Sequence, residues 1–177
     1  MFGLLGNQGE GFGHRFLIRE IVRLTGCQTY LELGTYDGTT FEYIFPQVKR
    51  GICVDIVDIR RSKLGEFYKM TTDEFFTKFQ DGVDVVFIDA DHKFESVNKD
   101  FENSLKLLNK YGIIILHDTD PISLQYTDPG YCGDSYKMVE YIEKEHPELN
   151  ILTIPVTDTG ISIVSRKGDR RVLTYIK

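Results

Sequence analysis

No apolar run in the chain approaches the roughly 18 residues that cross a bilayer, so no helical membrane span is expected. Basic residues are scarce. Lys and Arg total 21 against 27 Asp and Glu, for a net charge of −6. Apart from the pairs Arg60-Arg61 and Arg170-Arg171, read here as solvated surface, no basic cluster stands out. Affinity for nucleic acid rests on phosphate neutralisation, so nucleic acid is not an expected partner. The three cysteines, Cys27, Cys53 and Cys132, are far apart and form no C-x-x-C. That spacing fits neither a zinc site nor a disulfide framework and suits a reducing, cytoplasmic setting. Cys53 lies in an apolar run and is expected in the core. Residues 1–13 hold five glycines but neither a basic start nor a long apolar stretch, and read as a flexible arm rather than a signal peptide. Repeats and low-complexity segments are lacking. What remains, residues 14–177 with an ordinary apolar content of 41% over the chain, is expected to fold as one domain.

Two further absences concern Glu32-Leu33-Gly34-Thr35-Tyr36-Asp37-Gly38. A dinucleotide fingerprint needs G-x-G-x-x-G, and Tyr36 and Thr39 stand where its second and third glycines belong. A phosphate-binding P-loop needs a lysine that the stretch does not have. E-x-G-x-x-x-G survives: a buried strand turning into a helix start near Thr39. Gly34 would permit a tight turn or close backbone approach.

Along the chain, Leu17, Ile21 and Leu24 predict one face of a helix over 14–24, with Ile18 and Val22 beside it. Strands are expected at 29–33, 51–55, 67–70, 83–88, 112–116, 151–156 and 161–165, with helices at 39–45, from Thr71 on, from Phe94 on, and from Asp134 or Ser135 to about His146. The short turn Thr157-Asp158-Thr159-Gly160 makes the last two strands antiparallel. Alternating strands and helices predict an α/β three-layer fold with a mostly parallel sheet. In such sheets ligands bind beyond the C-terminal strand ends, where Glu32, Asp55, Asp89 and His117-Asp118 gather.

With Phe87-Ile88-Asp89-Ala90-Asp91-His92, His117-Asp118-Thr119-Asp120-Pro121, Met70 to Phe76 and Gly133-Asp134 added to the glycine stretch, the chain resembles class I S-adenosylmethionine (SAM)-dependent methyltransferases over roughly 14–167. Within them it is similar to the small O-methyltransferase-like group of the methyltransferase family 24 type, related to metal-dependent O-methyltransferases. The resemblance implies a Rossmann-like three-layer sandwich whose seven-stranded sheet has its last strand antiparallel. It implies SAM contacts from Glu32, Gly34, Thr35, Tyr36, Gly38, Asp55, Ile56, Thr71, Thr72 and Asp89. Glu32 would order the glycine loop or meet the ammonium of the methionine tail through water. Backbone N–H groups from Gly34 to Gly38 would meet its carboxylate, Asp55 both ribose hydroxyls, and Thr71 or Thr72 the adenine. Asp89 would lie close to the sulfonium.

Methyl transfer to a hydroxyl requires positioning and removal of a proton. His92, which can titrate near neutral pH, is the expected base, with Asp118 beside it. The relation to metal-dependent enzymes implies a divalent ion on Asp89, His117 and Asp118. A histidine among the ligands would favour Mn²⁺ or a softer ion over Mg²⁺. The expected acceptor is a small molecule or sugar, with specificity from the 1–13 arm, the 119–133 loop with Tyr126, Tyr131 and Tyr136, or a second subunit in a homodimer. The alternative is a non-catalytic SAM-binding or scaffold subunit on the same fold.

Overall fold

The computed structural model describes residues 12–168. Most of the expected arm lies outside the described residues, as does the Arg170-Arg171 pair; Phe12 and Gly13 already belong to the first helix, α1 (Phe12–Thr25). The buried stripe of α1 is His14, Ile18 and Val22, one residue out of phase with the expected face, and Leu24 is 70% exposed. Both stripes satisfy the helical period. The one that docks is the one that brings its β-branched side chains onto the sheet.

Strands β1 (Thr29–Leu33), β2 (Arg50–Asp55) and β4 (Val83–Ile88) appear within a residue of expectation, as does β3 (Glu66–Lys69). Strand β5 (Leu108–His117) starts four residues early and carries a register irregularity opposite Val83–Val85. Helix α2 (Thr39–Ile44) passes into a 3-10 turn at Phe45–Gln47, where Pro46 stops α-helical hydrogen bonding. Helix α3 (Thr72–Lys78) opens with a capping box in which Thr71 and Glu74 satisfy each other's backbone N–H. Helix α4 (Phe94–Leu107) and helix α5 (Lys137–Glu145) follow β4 and the loop after β5. Neither Asp134 nor Ser135 caps α5 as expected. Asp134 reaches across to accept a hydrogen bond from the Phe94 N–H at 2.6 Å, and so caps α4.

Among the described residues, seven strands form one sheet in the order β3-β2-β1-β4-β5-β7-β6, with β6 (Leu149–Ile154) and β7 (Ile161–Arg166) closing it. Strand β7 is antiparallel to both neighbours and the other pairings are parallel. This is the expected Rossmann-like three-layer sandwich, with the last strand reversed. One face packs Leu31, Leu33, Val86, Ile88 and Leu116 against Phe75 of α3, Phe101 of α4 and Ile142 of α5. The other packs Tyr30, Cys53, Phe87 and Ile115 against Ile18 and Val22 of α1 and Phe41 of α2. Full burial of such side chains contributes about 1.5–3 kcal/mol each. All three cysteines are buried thiols, Cys53 in the core as expected. No helix among the described residues is long and apolar enough to cross a membrane.

Candidate functional site

Parallel strands deliver their following loops to one edge, and three of these loops meet around Gly34. Its φ is +85°, and a Cβ there would stand 2.1 Å from the Asp89 carbonyl oxygen and 2.5 Å from Ala90 Cα. The glycine therefore serves the protein's own backbone, letting the β1 loop lie against the end of β4. Gly38 is also left-handed, at φ +80°, and N-caps α2. Between them, Tyr36 is 67% exposed, and its N–H donates to Asp55 Oδ2 at 2.7 Å. The other oxygen of Asp55 accepts from the Val57 N–H at 3.0 Å. Asp55 thus ties the β2 loop to the glycine loop, and Ile56 beside it is 65% exposed. A second tie is the Asp37–Arg61 ion pair at 3.0 Å. Arg60 does not lie on a solvated surface as expected. Its side chain is 5% exposed, lies over the Phe67 ring at 3.8 Å and pairs with Asp58. Thr35 is buried. Thr71 caps α3, and Thr72 hydrogen-bonds the buried Asp100.

Glu32 lies on the α1–α2 face of β1, between Cys53 of β2 and Phe87 of β4. It is 1% exposed. Oε2 accepts the Tyr30 hydroxyl at 2.6 Å, while Oε1 is buried with no hydrogen-bond partner. Burial raises its pKa to about 8, against the opposing effect of the Tyr30 hydrogen bond.

At the ends of β4 and β5, two histidines and two aspartates converge. His117 Nδ1 is 3.1 Å from both Asp89 Oδ1 and Asp118 Oδ1. Burial pulls the His117 pKa down, but the two carboxylates outweigh it and raise the value to about 10. The two carboxylates at Nδ1 favour the charged form of His117, while its Nε2 is buried without a hydrogen-bond partner. Asp118 is the counterpart. Burial would raise its pKa, but His117 and His92 hold it below the ordinary value. His92 Nε2 stands 3.3 Å from Asp118 Oδ2 and 3.9 Å from Asp89 Oδ1. Its Nδ1 meets the Tyr131 carbonyl. A carbonyl only accepts, so Nδ1 carries the hydrogen and Nε2 is the atom turned toward the acids.

His92 is held from behind by residues 131–135. Gly133, at φ +54°, lies so close to the His92 carbonyl that a Cβ would be 2.3 Å from it. The Asp134 N–H donates to the same carbonyl at 3.0 Å. The loop after β5 is itself sewn to the β6–β7 turn by Asp118 N–H to Gly160, Asp120 N–H to Thr159 and Ile122 N–H to Asp158.

Among the described residues, the ligand atoms of Asp89, His92 and Asp118 lie within 4.8 Å of one another. This oxygen–nitrogen–oxygen set fits a divalent transition ion. The sequence placed His117 among the ligands. In the structure its Nδ1 faces Asp89 and Asp118 at 3.1 Å each, and the group of converging ligand atoms has His92 in its place. Asp91 turns away to accept from Ser96 in the first turn of α4. The Tyr126 and Tyr131 rings meet at a tilt of 59° with centroids 5.5 Å apart, and the Tyr126 hydroxyl donates to Asp158. Tyr131 is 57% exposed, and Tyr136 lies at the start of α5. His14 carries no signal in the sequence beyond its place at the start of the expected helix. It is 5% exposed, and its ring lies 4.6 Å from that of His117. Burial, helped by the nearby His117 charge, lowers its pKa to about 4.

Residues 31–119 match the family described as "Methyltransferase domain". Among curated proteins, the uncharacterized protein R132 of Acanthamoeba polyphaga mimivirus is 27% identical over 112 residues, covering 51% of this chain and 51% of that protein. The chain thus spans about half the length of the curated relative it matches. An O-methyltransferase from Bacillus cereus, solved in complex with S-adenosylhomocysteine, superposes with a TM-score of 0.69 at 19% identity, over 86% of this chain and 80% of that one. The O-methyltransferase TomG of Streptomyces achromogenes, involved in tomaymycin synthesis and solved with SAM, gives 0.67 at 16% identity, over 88% and 80%. These two establish a shared fold.

Proposed function

Since this chain belongs to the family described as "Methyltransferase domain", we propose that it is a SAM-dependent O-methyltransferase acting on a hydroxyl of a small molecule or sugar, assisted by a divalent metal. The observation that carries this reading is the convergence of Asp89, His92 and Asp118 at the strand ends beside the Gly34 loop.

SAM supplies a methyl group on an excellent leaving group. The orphaned Glu32 Oε1 fits a cationic tail, because an unpaired buried carboxylate oxygen is costly unless a ligand or water meets it. Asp55 keeps acceptor capacity beyond its two backbone contacts and is assigned the ribose hydroxyls. Ile56 and Tyr36 offer exposed apolar surface on either side of it. His92 is assigned the acceptor's proton, at Nε2. The Tyr131 carbonyl fixes its tautomer and Asp118 stabilises the charge it gains. A metal held by Asp89, His92 and Asp118 would instead lower the pKa of a bound hydroxyl, with His92 as ligand rather than base.

The test is SAM turnover across a panel of hydroxyl acceptors, with chelator and with added Mn²⁺ or Mg²⁺. Turnover lost in chelator and restored by the ion supports the metal-assisted reading. Full turnover in chelator leaves His92 as base and removes the metal. SAM binding without turnover on any acceptor favours the scaffold role.

A further inference from the structure

The cofactor reading uses Glu32 but leaves its partner on the same strand without a function. Tyr30 and Glu32 stand two residues apart on β1, so both side chains project from the α1–α2 face. Tyr30 is fully buried and stacks on Phe41 of α2, with centroids 5.9 Å apart. Its hydroxyl is 2.6 Å from Glu32 Oε2. The ring is wedged by packing, and the hydroxyl can reach only one carboxylate oxygen. Apolar residues in place of both Glu32 and the Tyr30 hydroxyl, as in a Phe–Leu pair, would fill these core positions without stranding a polar atom, and are the choice packing alone would favour.

We propose that Tyr30 is a positioning residue for the cofactor tail: its hydroxyl holds one oxygen of Glu32, so that the other is presented to the ammonium of the methionine moiety. The inference rests on the assignment of SAM to this site. The hydrogen bond does two things. It fixes the carboxylate plane, so that Oε1 does not rotate toward the core. It also favours the ionised carboxylate, the form that an ammonium requires, in a place where burial works against it. The other groups that act on Glu32 are Asp89 at the end of β4, Arg15 on α1, Asp37 in the glycine loop and Cys53 on β2. None of them is a hydrogen-bond partner of either Glu32 oxygen.

Two ligands separate tail recognition from general damage. S-adenosylhomocysteine carries the amino-acid tail. 5′-Methylthioadenosine has the same nucleoside and thioether sulfur without it. Their affinities are measured by calorimetry on the full chain at pH 7 for wild type, Tyr30→Phe, Glu32→Gln and the double variant. Glu32→Gln is expected to weaken the tailed ligand by about tenfold or more, and Tyr30→Phe by about three- to tenfold, the range for the net contribution of one ordinary hydrogen bond. Both should leave methylthioadenosine within about twofold, and the double variant should bind the tailed ligand no more weakly than Glu32→Gln. Unchanged affinity for the tailed ligand in Tyr30→Phe, with loss in Glu32→Gln, overturns the inference alone. Equal loss of both ligands in Tyr30→Phe makes Tyr30 structural and overturns it too. Failure of wild type to bind either ligand, or indifference to Glu32→Gln, overturns the cofactor reading and the inference with it. If Tyr30→Phe does not fold, the double variant, which strands no carboxylate, decides. Binding equal to Glu32→Gln supports the coupling, and weaker binding overturns it.

Discussion

Gly34→Ala is the substitution in which the structure makes its sharpest quantitative demand. Two costs are separable. An L-residue at φ +85° bears a left-handed penalty of about 1–2 kcal/mol. The new methyl would also stand 2.1 Å from the Asp89 carbonyl oxygen and 2.5 Å from two further backbone atoms. None of these is a side-chain end that can swing away, so the β1 loop and the end of β4 must part, at a typical overpacking cost of about 1–3 kcal/mol. The expected destabilisation is therefore between about 2 and 5 kcal/mol, a large part of the roughly 5–15 kcal/mol of a small domain. Gly26 supplies the control, since its φ is +69° but a Cβ there meets nothing within 4 Å. Gly26→Ala should show the conformational penalty alone. Urea unfolding of the two variants and wild type at pH 7 gives both numbers from shifts in midpoint at constant slope. Equal destabilisation by Gly34→Ala and Gly26→Ala would refute the argument that Gly34 is required by backbone approach. Gly34→Ala should also lower affinity for S-adenosylhomocysteine, because the loop it displaces carries Tyr36 and the Asp55 tie.

Two other outcomes are expected. Asp55→Ala should weaken S-adenosylhomocysteine binding by calorimetry by at least about tenfold, since it removes the ribose partner and the Tyr36 and Val57 N–H acceptor together; undiminished affinity would remove Asp55 from the cofactor site. His146 bridges Glu102 at 2.7 Å and Glu148 at 3.0 Å; burial lowers its pKa, but the two carboxylates outweigh this and raise it. Because the folded-state pKa is raised, this stabilisation is full below the unfolded value of about 6.5 and is lost as pH rises through the folded one. His146→Gln should thus cost about 1 kcal/mol or less below pH 6 and progressively less above pH 7 in urea titrations, and a cost independent of pH would show that the charge is not involved.

The fold was readable because its signals are local and redundant. Val83 to Ile88 is a continuous apolar run because a central parallel strand is covered on both faces, and Thr71 with Glu74 announces the start of α3 within four residues. The phase of α1 was not readable, because two stripes compete and only the docking of Ile18 and Val22 onto the sheet decides. In the site, Glu32, Asp55, Asp89 and Asp118 were visible as acids ending apolar runs. The division of labour between the histidines was not. His117 differs from His92 because two aspartates at the ends of different strands close on its Nδ1, and His92 turns Nε2 inward because the carbonyl of Tyr131, 39 residues away, takes Nδ1. Backbone carbonyls leave no mark on a sequence. His14 and Tyr30 escaped for a related reason: each sits in a regular pattern whose first explanation is packing.

The structure also separates the two halves of the site mechanically. The Glu32–Asp55 side is held by β1, β2 and the ties Tyr36–Asp55 and Asp37–Arg61, all within the N-terminal part of the sheet. The His92 side is held by residues 131–135, whose own loop is anchored on the β6–β7 turn at Asp158, Thr159 and Gly160. The two meet along the β1–β4 pairing, at whose end the Asp89 N–H donates to the Leu33 carbonyl and Gly34 lies on the Asp89 and Ala90 backbone. A group that must be aligned between them, as a methyl donor and a hydroxyl acceptor must, depends on that contact for its register. Rates of in-line transfer fall steeply with misplacement of about 1 Å, so under the proposed methyl transfer the Gly34 contact would set the alignment of the two halves. The close backbone approach accounts for a glycine at position 34 in a loop that lacks the dinucleotide glycine pattern.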